Sequence, residues 1–335
     1  MKRTIALQEI SRHRAWLYGF AAAWIFFFHM MFVLPEHPAL EPLRWLKAHG
    51  NSGVDMFVLL SAMGLYRSLQ KDGSVLHFYQ RRLLRVYLPM FLVTAIYYGF
   101  KFSGTGQYLK KLLVFPFWLG VDSFWFAPFI LTMYLIYPLL YRLQQRSPLL
   151  LLIPLVLALV FPAAAKSFAY GWTEHCERAL TRIPAFIIGC MLAPWLHSDR
   201  KIPLWTLLLP LVAYAALCRI PLWPISRYVC CFLAAFVILA LTAIAPLFTC
   251  GRLRRFVYRC MAFLGGISLE VYLIQVRLAS FLMNYPLYAS GKESLYKMEL
   301  FNTIASILLA TLLQALCSLL IRRFEAVPIP DTHAL

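Results

Sequence analysis

Long apolar runs separated by short polar segments dominate this chain of 335 residues. Hydrophobic residues make up 61% of it and charged residues only 14%, whereas about a quarter of the residues of a soluble domain are charged. An apolar run of about 20 residues is long enough to cross a bilayer as a helix. The pattern therefore predicts an all-α, polytopic membrane protein with about ten transmembrane helices.

The chain is interpreted as one membrane-embedded domain over residues 1–335, with short tails at 1–14 and 322–335 and no extra soluble domain. The first apolar run lacks a small-residue cleavage site, so it is interpreted as a retained span and not as a signal peptide. The predicted spans are 15–34, 53–69, 86–101, 124–141, 148–165, 183–197, 203–218, 228–248, 262–284 and 299–321.

The distribution of basic residues predicts the orientation of these spans. With the N-terminus in the cytoplasm, more than half of the 32 Lys and Arg residues fall in cytoplasmic segments, as the positive-inside rule requires. Both termini are therefore predicted to be cytoplasmic, and the expected location is the inner (cytoplasmic) membrane. Loops that face anionic lipid account for the net charge of +18, so no nucleic-acid partner is expected. The eight cysteines form no CxxC motif, and no metal site is predicted.

Two polar features interrupt this apolar pattern. Asp55 opens the second predicted span, and an acidic residue inside a span is usually functional because its burial in lipid is costly. Arg81, Arg82 and Arg85 precede the third span. Clustered guanidinium groups can bind a phosphorylated ligand bidentately. Together these features predict a membrane protein that handles a phosphorylated small molecule.

Six motifs follow one another along nearly the whole chain. They are an aromatic-rich first span ending in His29 (18–29), Gly-Val-Asp-Met-Phe (53–57), Arg-Leu-Leu-Arg (82–85), Trp-Phe with a later Tyr-Leu and Pro (125–138), Arg-Ile-Pro-Ala-Phe-Ile-Ile-Gly (182–189) and Leu-Gly-Gly-Ile-Ser-Leu-Glu-Val-Tyr-Leu (264–273). In type and order they resemble the acyltransferase 3 family of membrane O-acyltransferases.

The chain departs from that family at two positions. Tyr18 stands where the family usually has Arg, eleven residues before the histidine, and Gln275 stands where a late span often ends in His. Arg14, one turn before Tyr18 on the same helix face, is a candidate substitute. The resemblance implies an enzyme that takes an acetyl group from cytoplasmic acetyl-CoA. It delivers this group to a hydroxyl of an envelope glycan or a related acceptor, at or beyond the outer face.

Each candidate residue has an expected role in that reaction. A hydroxyl needs a base to become a nucleophile, and His29 is suited to this near neutral pH. Asp55 is expected to orient it, and Gln275, Tyr18 or Arg277 to stabilise the oxyanion. A rise of 1.5 Å per residue puts His29 and Gln275 at one level, roughly 20 Å from the inner face. The expected ligands of the acetyl-CoA phosphates are Arg81, Arg82 and Arg85. The expected substrate-binding residues are Tyr18, Trp125 and Arg182. Glu270 is a further candidate for catalysis.

Simpler interpretations remain open for the same residues. Asp55 could cap a span, the arginines could only set topology, and Trp125 could belong to an interfacial aromatic belt. Arg182 could be a snorkelling anchor, and Glu270 could form a structural pair. Two other functional classes also fit. One is a proton-coupled transporter or flippase that uses His29, Asp55 and Glu270 as a relay, and the other is a non-catalytic membrane partner.

Overall fold

The computed structural model describes residues 4–31, 33–101, 104–121, 124–283 and 292–325, most of which are helical. Residues 1–3 and 326–335 of the predicted tails lie outside this description. The helices are α1 (Gln8–Arg12), α2 (Arg14–His29), α3 (Glu41–Ala48), α4 (Ser52–Asp72), α5 (Val75–Phe100), α6 (Thr105–Leu112), α7 (Phe126–Arg146), α8 (Leu152–Phe168), α9 (Tyr170–Leu180), α10 (Ile183–Leu192), α11 (Leu208–Leu217), α12 (Ile225–Phe248), α13 (Arg252–Gly266), α14 (Ser268–Leu282) and α15 (Lys292–Glu325). Short 3-10 segments lie at Pro38–Leu40, Phe115–Leu119, Pro148–Leu151, Ala193–His197 and Leu204–Leu207.

The all-α membrane fold is confirmed, but the predicted count of ten spans is not. Within the described residues, six helical segments are long and apolar enough to cross a bilayer: Val75–Phe100, Phe126–Arg146, Pro148–Phe168, Tyr170–Leu196, Ile225–Phe248 and Leu295–Arg323. The bent pair α13–α14 makes a seventh if it is counted as one span. The other three predicted spans correspond to α2, with 16 residues, α11, with 10, and α4, which carries charged residues in its first and last turns.

A small sheet joins two distant parts of the chain. Strand β1 (Thr4–Ala6) pairs antiparallel with strand β2 (Lys201–Pro203). Beyond the strands, the backbone N–H of Leu7 donates to the carbonyl of Arg200 at 3.1 Å. The start of the chain and the connection between α10 and α11 therefore lie at the same end of the helix bundle, which we call the sheet end.

The core lies where α2, α4, α7 and α10 meet. Small residues let these helices approach closely: a Cβ atom at Gly189 of α10 would lie 2.7 Å from the Cβ of Ala62 in α4. The largest side chains that are fully buried there include Leu17, Met56, Phe129, Tyr137 and Phe186.

Helix α5 begins earlier than predicted. The sequence predicts the third span at 86–101, with the basic stretch 81–85 before it. The helix instead starts at Val75, where the side chain of Ser74 accepts a hydrogen bond from the backbone N–H of His77 at 3.3 Å. Arg and Leu both favour helix, and no Gly or Pro interrupts the basic stretch. Its arginines are therefore held in fixed directions by a helix.

The segment before the predicted span 183–197 is also helical. Cys176 lies in the connection between the predicted spans 148–165 and 183–197, where a loop is expected, but it is fully buried in α9. In the same helix, Glu177 accepts a hydrogen bond from Arg227 Nε at 2.6 Å. Because its carboxylate is paired with the start of α12, this polar segment packs against the bundle as a helix.

The predicted span 262–284 is broken. Helices α13 and α14 meet at an angle of 75°, and α13 extends back through the predicted basic loop to Arg252. A Cβ atom at Gly19 of α2 would collide with the carbonyl oxygen of Met261, and one at Gly265 would collide with the carbonyl oxygen of Ala15. Backbone-to-backbone contact with α2 therefore fixes α13 in place, and the chain turns into α14 directly after the contact.

This contact makes Gly265→Ala a destabilising change. We expect a loss of about 1–3 kcal/mol, as for an overpacked core, because the added methyl group displaces the backbone of α2. Gly266→Ala is the matched control, since a Cβ atom there meets nothing within 4 Å and Ala favours helix over Gly. Thermal unfolding of the purified protein in lipid nanodiscs measures both variants. Equal stability of the two would contradict the close contact.

Candidate functional site

A cavity of about 520 Å³ lies between α2, α4, α5, α7 and the break between α13 and α14. Helix α4 runs antiparallel to α2, since Gly53 adjoins Ile25 while Leu60 adjoins Arg14. The end of α4 and the start of α5 therefore lie at the sheet end. We call this space the arginine cavity, and its polar and aromatic lining residues are Arg14, Tyr18, Phe57, Ser61, Arg82, Arg85, Trp125, Phe126, Tyr134, Ser268 and Tyr272.

The first guanidinium group of the cavity belongs to Arg14. Its Nη2 donates to the hydroxyl of Tyr18 at 2.8 Å and to the carbonyl of Leu60 at 3.1 Å. The Tyr18 hydroxyl lies 3.2 Å from Ser61 Oγ, and its ring stacks on Phe57 at 5.1 Å. Arg14 thus brings a positive charge to the Tyr18 hydroxyl, next to the position where the family has its usual arginine.

Arg82 and Arg85 supply two further cations. The Arg82 guanidinium lies 5.8 Å from the centre of the Tyr134 ring and 5.7 Å from that of Phe78, and its buried Nε has no hydrogen-bond partner. Arg85 is exposed towards the cavity. Within the described part of the chain, neither guanidinium has a hydrogen bond or an ion pair, and no Asp or Glu lines the cavity. Arg81 is exposed but does not line it.

A second cavity of about 370 Å³ contains His29 and Gln275, at the end of α2 and on α14. We call it the histidine cavity, and it is lined by Phe26, His29, Met30, Met31, Gln275, Val276, Ala279, Ser280, Met283, Glu299 and Asn302.

The hydrogen bonds of His29 determine which ring nitrogen can act as a base. Its Nδ1 lies 2.9 Å from the carbonyl oxygen of Ile25 and 3.2 Å from Gln275 Nε2. A carbonyl can only accept, so we assign the ring proton to Nδ1. His29 Nε2 then carries the free lone pair. With this assignment the Gln275 amide cannot donate to Nδ1, and its N–H groups are free for another acceptor in the cavity.

The two cavities follow one another along the same helices. On α2, Ile25 lines the arginine cavity and Phe26 the histidine cavity; on α14, Tyr272 lines the first and Gln275 the second. Arg14 and His29 are fifteen residues apart on α2, which corresponds to roughly 22 Å. The path thus runs from a positively charged chamber near the sheet end to a histidine near the opposite end.

Asp55 does not contact His29. Its Oδ2 lies 3.7 Å from Arg182 Nη2 in a pair that is almost completely buried, with side-chain exposures of 1% and 8%. Within the described ranges, no hydrogen bond or ion pair joins Asp55 to His29. The expected orienter is therefore on another face of α4, and the Ile25 carbonyl holds the imidazole instead. Arg182, an expected substrate contact, lines neither cavity.

Asp55→Asn is therefore expected to act first on stability. Removing one partner of a buried ion pair leaves an uncompensated charge, which typically costs about 3–5 kcal/mol. The double variant Asp55→Asn/Arg182→Gln should recover part of this loss, because neither charge remains. Thermal unfolding in nanodiscs separates the two variants. Normal stability of Asp55→Asn combined with a large loss of turnover would instead support the orienting role.

The other expected residues lie nearer to the site. Trp125 lines the arginine cavity. Glu270 is buried in the first turn of α14 and is not among the lining residues; it forms no ion pair within 4 Å among the described residues, but the charge of Arg85 acts on it electrostatically. Ser61 and Tyr134 belong to the family-like motifs of the second span and of 125–138 but have no predicted role, and Glu299 and Asn302 lie outside every motif. Glu299 was recognisable in principle, because it is an acidic residue at the start of an apolar span.

Comparison with models of known protein families found one matching family. The model of the acyltransferase domain in the acyltransferase 3 family matches residues 16–323, so the match includes the histidine cavity and, except for Arg14 and Ala15, the lining of the arginine cavity. Comparison with curated proteins and with solved structures found no match.

Proposed function

This chain belongs to the acyltransferase 3 family of membrane acyltransferases, and on that premise we propose that it moves an acetyl group from acetyl-CoA to a hydroxyl of a cell-envelope carbohydrate. The observation that carries the proposal is the arginine cavity, in which the guanidinium groups of Arg82 and Arg85 have no hydrogen-bond or ion-pair partner among the described residues and which is followed along α2 and α14 by the cavity that contains His29. We further propose that the sheet end faces the cytoplasm and that the protein lies in the inner membrane.

Arg82 and Arg85 bind the phosphates of the donor. Each guanidinium has no acceptor among the described residues, and a guanidinium can hold a phosphate through two parallel hydrogen bonds. Mutual repulsion of three cations in a site without a carboxylate favours an anionic ligand. The uncharged pantetheine arm then extends along α2, between Trp125 and Tyr272, towards Ile25 and His29.

His29 Nε2 acts as the general base at the reacting end. It accepts the proton of the acceptor hydroxyl while the oxygen attacks the thioester carbonyl carbon. The Gln275 amide donates to the resulting oxyanion. When the intermediate collapses, the C–S bond breaks and the imidazolium returns its proton to the leaving sulfur. The products are the acetyl ester and the thiol form of CoA.

The contacts give no support to the relay of the transporter alternative. Asp55 is paired with Arg182, and Glu270 lines neither cavity, so neither of these two relay residues shares a cavity with His29. Acyl transfer, in contrast, gives each cavity a role, since the arginine cavity binds the donor and the histidine cavity contains the base.

Binding of labelled acetyl-CoA to the purified protein in lipid nanodiscs tests the proposal. We expect saturable binding that CoA displaces and that pantetheine, which lacks the phosphates, displaces poorly. Slow hydrolysis of the bound thioester should accompany it. Absence of saturable binding, or equal displacement by pantetheine, would contradict the role of the arginine cavity.

A further inference from the structure

Glu299 places a carboxylate in the histidine cavity. It belongs to α15 and its side chain lines the cavity, although the residue is only 4% exposed. Its Oε1 accepts the backbone N–H of Met31 at 2.6 Å. For Oε2, no partner is recorded in the part of the chain that the structure describes. A nearly buried carboxylate oxygen is thus left for a ligand in the chamber that contains His29.

The position of Glu299 is fixed by the backbone that follows His29. Lys47 Nζ donates to the carbonyl of Met30 at 2.8 Å, and Glu299 accepts from the N–H of Met31. Both bonds hold the same peptide unit, one from each side. Only Glu299 of these two side chains lines the cavity, so its second oxygen is presented to a ligand from a rigid support.

Asn302 extends this polar wall by one helical turn. It is 4% exposed, and three residues along a helix put it on the same face as Glu299. Its Oδ1 accepts a hydrogen bond from Ser306 Oγ at 3.3 Å, and this leaves the amide nitrogen as a donor. The wall therefore offers one charged acceptor and one neutral donor beside the lone pair of His29.

The two cavities differ in charge. Three guanidinium groups line the arginine cavity, whereas Glu299 carries the only full charge among the described lining residues of the histidine cavity. Like charges brought together in a site of low dielectric constant repel strongly. An acceptor with its own carboxylate or phosphate beside the reacting hydroxyl would meet this repulsion, and one with a neutral hydroxyl or an ammonium group would not.

We propose that the histidine cavity is the acceptor subsite and that Glu299 is a specificity-determining residue, which selects neutral or amine-bearing sugars over acidic ones. This inference rests on the proposed function. One sugar hydroxyl lies at His29 Nε2, a neighbouring hydroxyl or ammonium group donates to Glu299, and Asn302 donates to a sugar oxygen. Buried polar groups that remain unpaired with a wrong substrate give strong discrimination.

Acetylation of three methyl glycosides tests the proposal: methyl glucoside, methyl glucosaminide and methyl glucuronide, with labelled acetyl-CoA and protein in nanodiscs. The wild type should use the first two with a kcat/KM at least about tenfold above that for the glucuronide, the scale of one hydrogen bond to a charged group. E299Q keeps an acceptor for Met31 but loses the charge, so the ratio of glucoside to glucuronide should fall towards one. Lys47→Met, the matched control, removes the other anchor of that peptide together with a positive charge, so it should not lower this ratio.

Other outcomes would overturn the inference. An unchanged ratio in E299Q, or an equal change in Lys47→Met, would make Glu299 only an anchor of the helix end. Preference for the glucuronide would point to a cation near His29, such as Arg178. A wild type that hydrolyses acetyl-CoA but acetylates none of the glycosides would exclude this acceptor class. Failure to bind acetyl-CoA would instead reject the proposed function itself.

Discussion

Replacing His29 by Ala should lower acetyl transfer by about 100- to 10,000-fold, the usual contribution of a general base. Among the described residues the ring makes one hydrogen bond with the assigned proton, from Nδ1 to the carbonyl of Ile25, so its loss should leave the fold and acetyl-CoA binding intact. Transfer of label from acetyl-CoA to water or to methyl glucoside measures the effect. Added imidazole should restore part of the activity, because it can occupy the vacated space as a base.

His49 provides the control for that experiment. Its Nδ1 bonds to the carbonyl of Trp45 at 2.8 Å, the same local arrangement as in His29, but it lines neither cavity. His49→Ala should therefore retain transfer. A similar loss in the two variants would mean that the bond to the preceding turn matters and that the base does not. Substantial turnover in His29→Ala would reject the base assignment outright.

Replacing Arg85 by Ala should raise the Kd for acetyl-CoA about tenfold or more, and the double variant Arg82→Ala/Arg85→Ala should bind almost none. A hydrogen bond to a charged group contributes about 1.5–3 kcal/mol, and each 1.4 kcal/mol is a factor of ten in affinity. Because no hydrogen bond or ion pair of Arg85 is recorded among the described residues, the single variant should keep its thermal stability. Equilibrium binding of labelled acetyl-CoA gives the Kd values.

Arg81→Ala is the matched control for donor binding. It removes the same charge from the same helix, but Arg81 does not line the arginine cavity. Its effect on the Kd should be small, and smaller still at physiological ionic strength, because exposed charges are screened. Equal losses in Arg81→Ala and Arg85→Ala would show that general basic charge attracts the donor and that the cavity does not hold it.

The apolar helices were predictable because apolar length is a local property. The predicted span 228–248 corresponds to Ile225–Phe248, and 124–141 to Phe126–Arg146. The bend between α13 and α14 was not predictable, because it depends on contact of Gly265 with a helix more than two hundred residues away in sequence. The early start of α5 does not follow from hydropathy, because charged residues lower the hydropathy of its first turns, although arginine is a good helix former.

In the candidate site, too, some features were predictable from the sequence and others were not. The helical rise of 1.5 Å per residue predicts that His29 and Gln275 lie at the same depth in the membrane. In the structure His29 Nδ1 and Gln275 Nε2 are 3.2 Å apart. Depth does not specify which face of a helix a residue occupies, so Asp55 was expected at His29 but faces Arg182. Glu299 and Asn302 lie on α15, outside every recognised motif, and only the folded bundle brings them to His29.

The pairing of β1 with β2 imposes an order on biosynthesis. Residues 4–6 are synthesised before α2, but their partner at 201–203 is made only after α2 to α10. Strand β1 must therefore stay unpaired until the helices between the two strands have been made. Pairing of β1 with β2 then joins residues 4–6 to the connection between α10 and α11. We expect a bulky tag fused just ahead of residue 4 to delay this pairing.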